Sequence, residues 1–189
     1  MESLAEIYKR HCVVGPDVGH GDKGGTHSYV PEYERLLAPY RKAGKFMEIG
    51  LAYGLSIAMW REYFPLSCDV IGVDEHIVFD PLPHRKAGSI LVEADATKQE
   101  MIDKLKAALG PVFRLDVVID DASHVLDHQM TTFKLLEPFM RPKGIYIIED
   151  ILSLEHARGP LSGLHHSAEF LDLRRKKGRF DDVLAVFRF

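Results

Sequence analysis

Two apolar runs in this chain stop abruptly in acids: Val117-Val118-Ile119-Asp120-Asp121-Ala122-Ser123-His124 and Ile145-Tyr146-Ile147-Ile148-Glu149-Asp150. Short runs rich in β-branched residues read as strands buried on both faces, which belong to a parallel sheet covered by helices. In such sheets ligands bind at the carboxyl ends of the strands. If the two strands are neighbours, Asp121, Glu149 and Asp150 stand close together. Three carboxylates that near to one another repel unless a cation or a shared proton compensates. The simplest reading is a hard divalent metal held by Asp121, Glu149 and Asp150, with His124 as a base. Strand side chains alternate, so Asp120 should point away from Asp121. Ser123 is a candidate cap for the helix that follows.

The remaining chain alternates strand and helix patterns. A short helix is expected from Leu4 to about His11. Residues 13–29, rich in Gly, His and Asp, read as a loop. Pro31 suits the first turn of a helix carrying Tyr33, Leu36, Leu37 and Tyr40. Strands are expected at 45–49, 68–73, 89–92, 115–119, 145–148 and 183–189, and helices at 55–63, 99–109, about 123–139 and 168–177. Residues 76–88 and 151–166 read as irregular or broken. Strands that alternate with helices imply an α/β doubly wound, Rossmann-like, mostly parallel sheet with helices on both faces. The 189 residues suit one domain, with an N-terminal helix and lid-like loop over 1–44 and the core over 45–189.

The first strand runs into Glu48-Ile49-Gly50-Leu51-Ala52-Tyr53-Gly54, a turn that opens a helix. It is not a dinucleotide fingerprint, and Glu48 disfavours a pyrophosphate while suiting a ligand with positive charge. Glycines at 50 and 54 would let backbone approach a ligand. Asp74, ending the second strand, could accept from both hydroxyls of a ribose. Asp95, after the third, could accept from an adenine amino group. Each acid alone could be a helix cap. Their order at successive strand ends is what gives them weight together.

With these residues in place the chain resembles the class I S-adenosylmethionine-dependent methyltransferases. It is similar in particular to the metal-dependent sugar O-methyltransferases of the macrocin and mycinamicin type. The resemblance runs from Gly21-Asp22-Lys23-Gly24 through Tyr33-Glu34-Arg35-Leu36-Leu37, Met47-Glu48-Ile49-Gly50 and Met59-Trp60 to Asp120-Asp121-Ala122-Ser123-His124 and Ile148-Glu149-Asp150. It implies S-adenosylmethionine and Mg²⁺ as cofactors and a sugar or glycosylated small-molecule hydroxyl as acceptor. It implies magnesium on Asp121, Glu149 and Asp150, and His124, beside Asp121, as the catalytic base. The cofactor side would comprise Glu48, Gly50, Tyr53, Gly54, Ser56, Asp74, Asp95, Ala96 and Asp120. The chain is shorter than most such enzymes, and neither a large N-terminal domain nor a hairpin after the last strand is evident in it.

Several functions are set aside or held as rivals. A net charge of −4, from 24 basic and 28 acidic residues, argues against non-specific grip on nucleic acid. No signal peptide is seen in Met-Glu-Ser-Leu-Ala-Glu, and no apolar run approaches a membrane span. Cys12 and Cys68 read as free thiols of a reducing cytoplasm. The Arg174–Lys177 run reads as a solvated helix face, and Trp60 as core. His27, Tyr29 and His165 are candidate acceptor contacts, with Lys23 and Thr26 further polar groups of a lid over 13–30. An exposed strand edge at 183–189 would support a homo-oligomer. The rivals are a catechol-type O-methyltransferase and a non-catalytic S-adenosylmethionine-binding module.

Overall fold

The computed structural model describes residues 2–13 and 21–189; the part of the expected lid that falls on 14–20 lies outside the described residues. In chain order the elements are α1 (Leu4–Cys12), α2 (Tyr29–Leu37), β1 (Lys45–Ile49), α3 (Leu55–Tyr63), β2 (Asp69–Asp74), α4 (Leu82–Lys86), β3 (Ser89–Glu93), α5 (Gln99–Leu109), β4 (Leu115–Asp120), α6 (Leu126–Leu136), β5 (Met140–Ile148), α7 (Leu154–Ser162), β6 (Glu169–Asp172), α8 (Arg174–Lys177) and β7 (Val183–Arg188). They build one seven-stranded sheet in the order β3-β2-β1-β4-β5-β7-β6. The first five strands are parallel, and β7 is antiparallel to both its neighbours. This is the class I methyltransferase fold.

The continuous apolar runs have the cause inferred for them: successive residues feed two cores. Phe46, Val117, Ile119, Ile145 and Ile147 pack with α1, α2 and α3 on one face. Met47, Val118, Tyr146 and Ile148 pack with α5, α6 and α7 on the other. Both faces are therefore dry, and a strand such as β4 has no polar side to show.

Register positions the acids. Ile49 pairs with Asp120 across β1 and β4, and Asp120 pairs with Ile148 across β4 and β5. Gly50, Asp121 and Glu149 thus leave the same end of three adjacent strands. Gly50 has φ +87°, and a Cβ there would lie 2.0 Å from the carbonyl oxygen of Asp121. Glycine is needed so that the β1 and β4 loops can cross.

Several expectations are corrected. Residues 76–88 contain a helix, α4, and α7 forms within 151–166 with Ser153 accepting from the backbone N–H of His156 at 3.3 Å. The helix expected over 168–177 is a strand followed by a short helix. Glu169-Phe170-Leu171-Asp172 pairs antiparallel with β7, and that pairing overrides local helix preference. The 183–189 edge does not exist: β7 lies between β5 and β6 and is buried. Ser123 does not cap α6, which starts at Leu126 after Val125; its Oγ is instead 2.9 Å from His128 Nδ1. Among the described residues, no helix is long and apolar enough to cross a membrane. Cys12 and Cys68 are buried free thiols.

Candidate functional site

A cleft of about 870 Å³ opens at the carboxyl ends of β1 to β4. Its walls include Gly50, Tyr53, Ser56, Asp74, Asp95, Ala96, Asp120, Asp121 and His124. Nine cofactor-side residues were expected, and seven line it. Glu48 and Gly54 do not. Glu48 is fully buried, and its carboxylate accepts from Ser56 Oγ (2.7 Å) and Trp60 Nε1 (3.0 Å). Gly54 precedes α3 with φ +77°, and a Cβ there would meet the Phe79 ring at 2.9 Å. Trp60 is core, as expected, and it also orients Glu48.

The acids of the cleft are held by backbone. Asp74 Oδ2 accepts from Leu51 N–H at 2.7 Å and Oδ1 from His76 N–H at 3.0 Å, which ties the β2 loop to the β1 loop. Asp95 Oδ1 accepts from the amide and hydroxyl of Thr97 (2.8 and 2.6 Å), and those bonds hold its carboxyl below the usual range. Asp120 turns into the face opposite Asp121 and accepts from Tyr146 Oη at 3.1 Å. Burial pushes its carboxyl up to about 7.

The acid cluster lies beside this cleft. Asp121 faces Lys23 and His124 at once. Its Oδ2 is 2.5 Å from Lys23 Nζ, and its Oδ1 is 3.2 Å from His124 Nε2. Lys23 Nζ also reaches Glu149 Oε1 (2.7 Å) and Glu48 Oε1 (3.4 Å), and its side chain is 3% exposed. Tyr33 Oη donates to the same Glu149 oxygen at 2.6 Å. Burial opposes the Lys23 charge, but Asp121, Glu149 and Glu48 outweigh it and keep the ammonium protonated. Asp150 Oδ2 stands 3.5 Å from His124 Nε2 and Oδ1 accepts from Tyr29 Oη at 2.6 Å. His124 and Asp150 both adopt left-handed backbone, φ +56° and +54°, which brings their side chains back over the strand ends.

Positive charge is short here. Burial and the nearby Asp121 charge hold Glu149 and Asp150 above the usual carboxylate range. Asp121 itself is lowered: burial opposes its charge, but Lys23 and His124 outweigh it. Asp121, His124 and Asp150 each offer a ligand atom within 4.8 Å of the others, and Asp22, His27 and Asp150 form a second such set. A cluster of oxygen donors with excess negative charge suits a hard divalent cation. Glu149, expected as a third ligand, falls in neither set; its Oε1 is committed to Lys23 and Tyr33.

The three candidate acceptor contacts fall elsewhere. Tyr29 is fully buried, bonded to Asp150 and to the Asp181 carbonyl. His27 is 2% exposed and stacks on Tyr29, with Nδ1 3.5 Å from Asp150. Both brace the cluster from behind. His165 packs on Phe189, whose N–H bonds Gly144 at the start of the parallel part of β5, so it sits at the opposite end of the sheet from the acids. The Arg174–Lys177 run is not a free solvated face either. Lys177 Nζ donates to the carbonyls of Gly24 (2.6 Å), Gly25 (2.9 Å) and His27 (2.7 Å), and Lys176 pairs with Glu32. Sequence reasoning gave no site role to Tyr33, read as a helix apolar position, and saw Lys23 only as lid polarity. The signal for both was their place beside an acid pair, visible once α2 packs on the sheet.

No protein-family model matches the chain. It is 37% identical over 148 residues to the 8-demethyl-8-alpha-L-rhamnosyl tetracenomycin-C 2'-O-methyltransferase of Streptomyces olivaceus, covering 74% of this chain and 37% of that protein. It is 34% identical over 172 residues to the L-olivosyl-oleandolide 3-O-methyltransferase of Streptomyces antibioticus, covering 85% of this chain and 42% of that protein. The chain thus spans about two fifths of the length of these curated relatives. Among solved structures it matches the MycE methyltransferase of the mycinamycin biosynthetic pathway in complex with Mg, SAH and mycinamycin VI. That match has a TM-score of 0.71 at 23% identity and covers 99% of this chain and 54% of that one.

Proposed function

The chain is a homologue of sugar O-methyltransferases across most of its own length, and from that premise we propose that it is an S-adenosylmethionine- and Mg²⁺-dependent O-methyltransferase acting on a hydroxyl of a sugar or glycosylated small molecule. The observation that carries the reading is His124 Nε2, 3.2 Å from Asp121 Oδ1, at the mouth of a cleft lined by acids at successive strand ends.

Asp74 and Asp95 would hold the ribose and adenine of the cofactor, and the Gly50–Tyr53 turn would lie along its middle. Asp121 and Asp150, with Glu149 beside Asp150 in sequence and held by Lys23, would hold the cation. The bound groups would supply an electrophilic methyl and a charge that lowers the pKa of the acceptor hydroxyl and fixes its orientation. His124 would take the acceptor proton at Nε2, while the bound methyl donor would supply the methyl group and keep its sulfur. Asp121 orients that imidazole and favours its charged form. The acceptor is proposed to be small, and the setting a reducing cytoplasm, in keeping with the two free thiols.

The test is titration of S-adenosylhomocysteine into the metal-stripped protein, followed by methyl transfer from labelled S-adenosylmethionine to deoxysugar glycosides and to catechols, with and without Mg²⁺. Cofactor binding without metal, and methylation of glycosides only with metal, is the expected result. Methylation of catechols alone would replace the sugar reading. Absence of cofactor binding would end the methyltransferase reading.

A further inference from the structure

The proposed function uses Asp121, Asp150 and His124 but gives no part to the buried ammonium of Lys23, which lines the same cleft. Lys23 is on the 21–28 segment, ahead of α2, yet its Nζ sits among Asp121, Glu149 and Glu48 with no exposure to speak of. Lysine is almost never buried to this degree unless paired. Here it is paired with groups that the proposed cation also needs. Asp121 Oδ2 goes to Lys23 and Oδ1 to His124, whose Nε2 also approaches Asp150 Oδ2. Glu149 gives Oε1 to Lys23 and to Tyr33.

We infer that Lys23 is a tethered resident cation that fills the inner position of the acid cluster, confines a divalent ion to the outer position at Asp121 and Asp150, and sets how tightly that ion binds. The inference rests on the metal reading above. Its physical basis is charge. Four carboxyls, Asp121, Glu149, Glu48 and Asp150, share this one ammonium. Without the ammonium the same groups carry one more unit of uncompensated negative charge, and the ion also loses a positive neighbour a few ångströms away. Lys23 thereby weakens metal binding while holding Asp121 and Glu149 in one geometry. It is a positioning residue, since it touches ligands of the cation and not the reacting atoms.

A purely structural lysine predicts the opposite sign. Loss of a scaffold contact loosens the donors and weakens every ligand. Loss of an opposing charge strengthens the cation alone.

The experiment is calorimetric titration of MgCl₂ into the metal-stripped full chain, for wild type, Lys23→Met and Lys23→Arg, with S-adenosylhomocysteine affinity measured beside it. Lys23→Met should bind Mg²⁺ about tenfold or more tightly, Lys23→Arg near the wild-type level, and cofactor affinity should stay within about twofold for all three. Mg²⁺ should raise the Tm of Lys23→Met by more than that of wild type. If Lys23→Met folds only when Mg²⁺ is added, that rescue supports the same conclusion. If it fails to fold even then, Lys23→Gln decides the question by the same titration. Mg²⁺ binding by wild type that is unchanged or weaker in the neutral variant overturns the inference alone. Mg²⁺ binding absent from wild type and neutral variant alike overturns the metal reading and the inference with it.

Discussion

The hydroxyl of Tyr146 donates to the carboxylate of Asp120 at 3.1 Å, with both residues closed off from solvent at the floor of the cleft. Burial lifts the Asp120 carboxyl to about 7, well above its unfolded value of 3.8. A carboxyl raised by folding binds its proton more tightly in the native state, so stability is greatest while it is protonated and falls as pH rises from about 4 to about 7. The loss across that interval is on the order of 2–4 kcal/mol. Asp120→Asn, which cannot ionise, should flatten this segment of the profile. Urea unfolding of both proteins from pH 4 to pH 8 checks it, and parallel profiles would sink the assignment.

His124 is held above its ordinary value of 6.5, first by its bond to Asp121, against the opposing effect of burial, with the charge of Asp150 adding to the rise. A raised histidine stabilises the fold below about pH 6.5, and that contribution is lost as pH climbs past its folded value. In the metal-free protein Asp121→Asn should bring the imidazole titration, followed by NMR, back toward 6.5. Added Mg²⁺ should also lower it, because the ion opposes protonation. His124→Asn should cut methyl transfer by roughly 10²–10⁴-fold while leaving S-adenosylhomocysteine affinity nearly unchanged. Loss of affinity equal to the loss of rate would make His124 a binding residue instead.

Gly50→Ala should cost about 3 kcal/mol or more, because its Cβ would collide with the Asp121 backbone as well as adopt a left-handed φ. Gly88 is the matched control. It has φ +89° but nothing within 4 Å of a built Cβ, so Gly88→Ala carries only the backbone strain, about 1 kcal/mol. Equal losses in thermal unfolding would show that crowding at the strand ends is not the cause.

Lys177→Met removes three hydrogen bonds to the carbonyls of the 24–27 turn. The expected loss is about 1–3 kcal/mol, with faster amide exchange concentrated in residues 21–28. Exchange that accelerates uniformly across the chain would argue against a local fastening.

The parallel sheet, its strand ends and the meeting of Asp121 with Glu149 were legible because β4 over 117–119 and β5 over 145–148 are apolar runs that stop in acids. Their register follows from a buried strand having one way to align. The β6 strand was not legible. Four residues with mixed propensity become a strand only through β7, which is a tertiary fact. Lys23, Tyr29 and His27 were seen as polar groups near a loop, but their burial depends on how 21–28 packs beneath α8, which no local pattern encodes. Glu48 was read as facing a ligand; its partners, Ser56 and Trp60, stand one helical turn apart in α3.

The fastening of the 24–27 turn by Lys177, and the bond from Ser28 N–H to Asp182, join residues about 150 positions apart. Every acid of the cluster has been synthesised by Asp150, yet part of what secures the segment that delivers Lys23 comes later, from Lys177 and Asp182. During synthesis the carboxylates therefore exist for some time as an open, mutually repelling group. Completion of the site is a late event with high contact order, and a chain truncated after β5 would hold the chemistry's acids without the latch that seats their counter-ion.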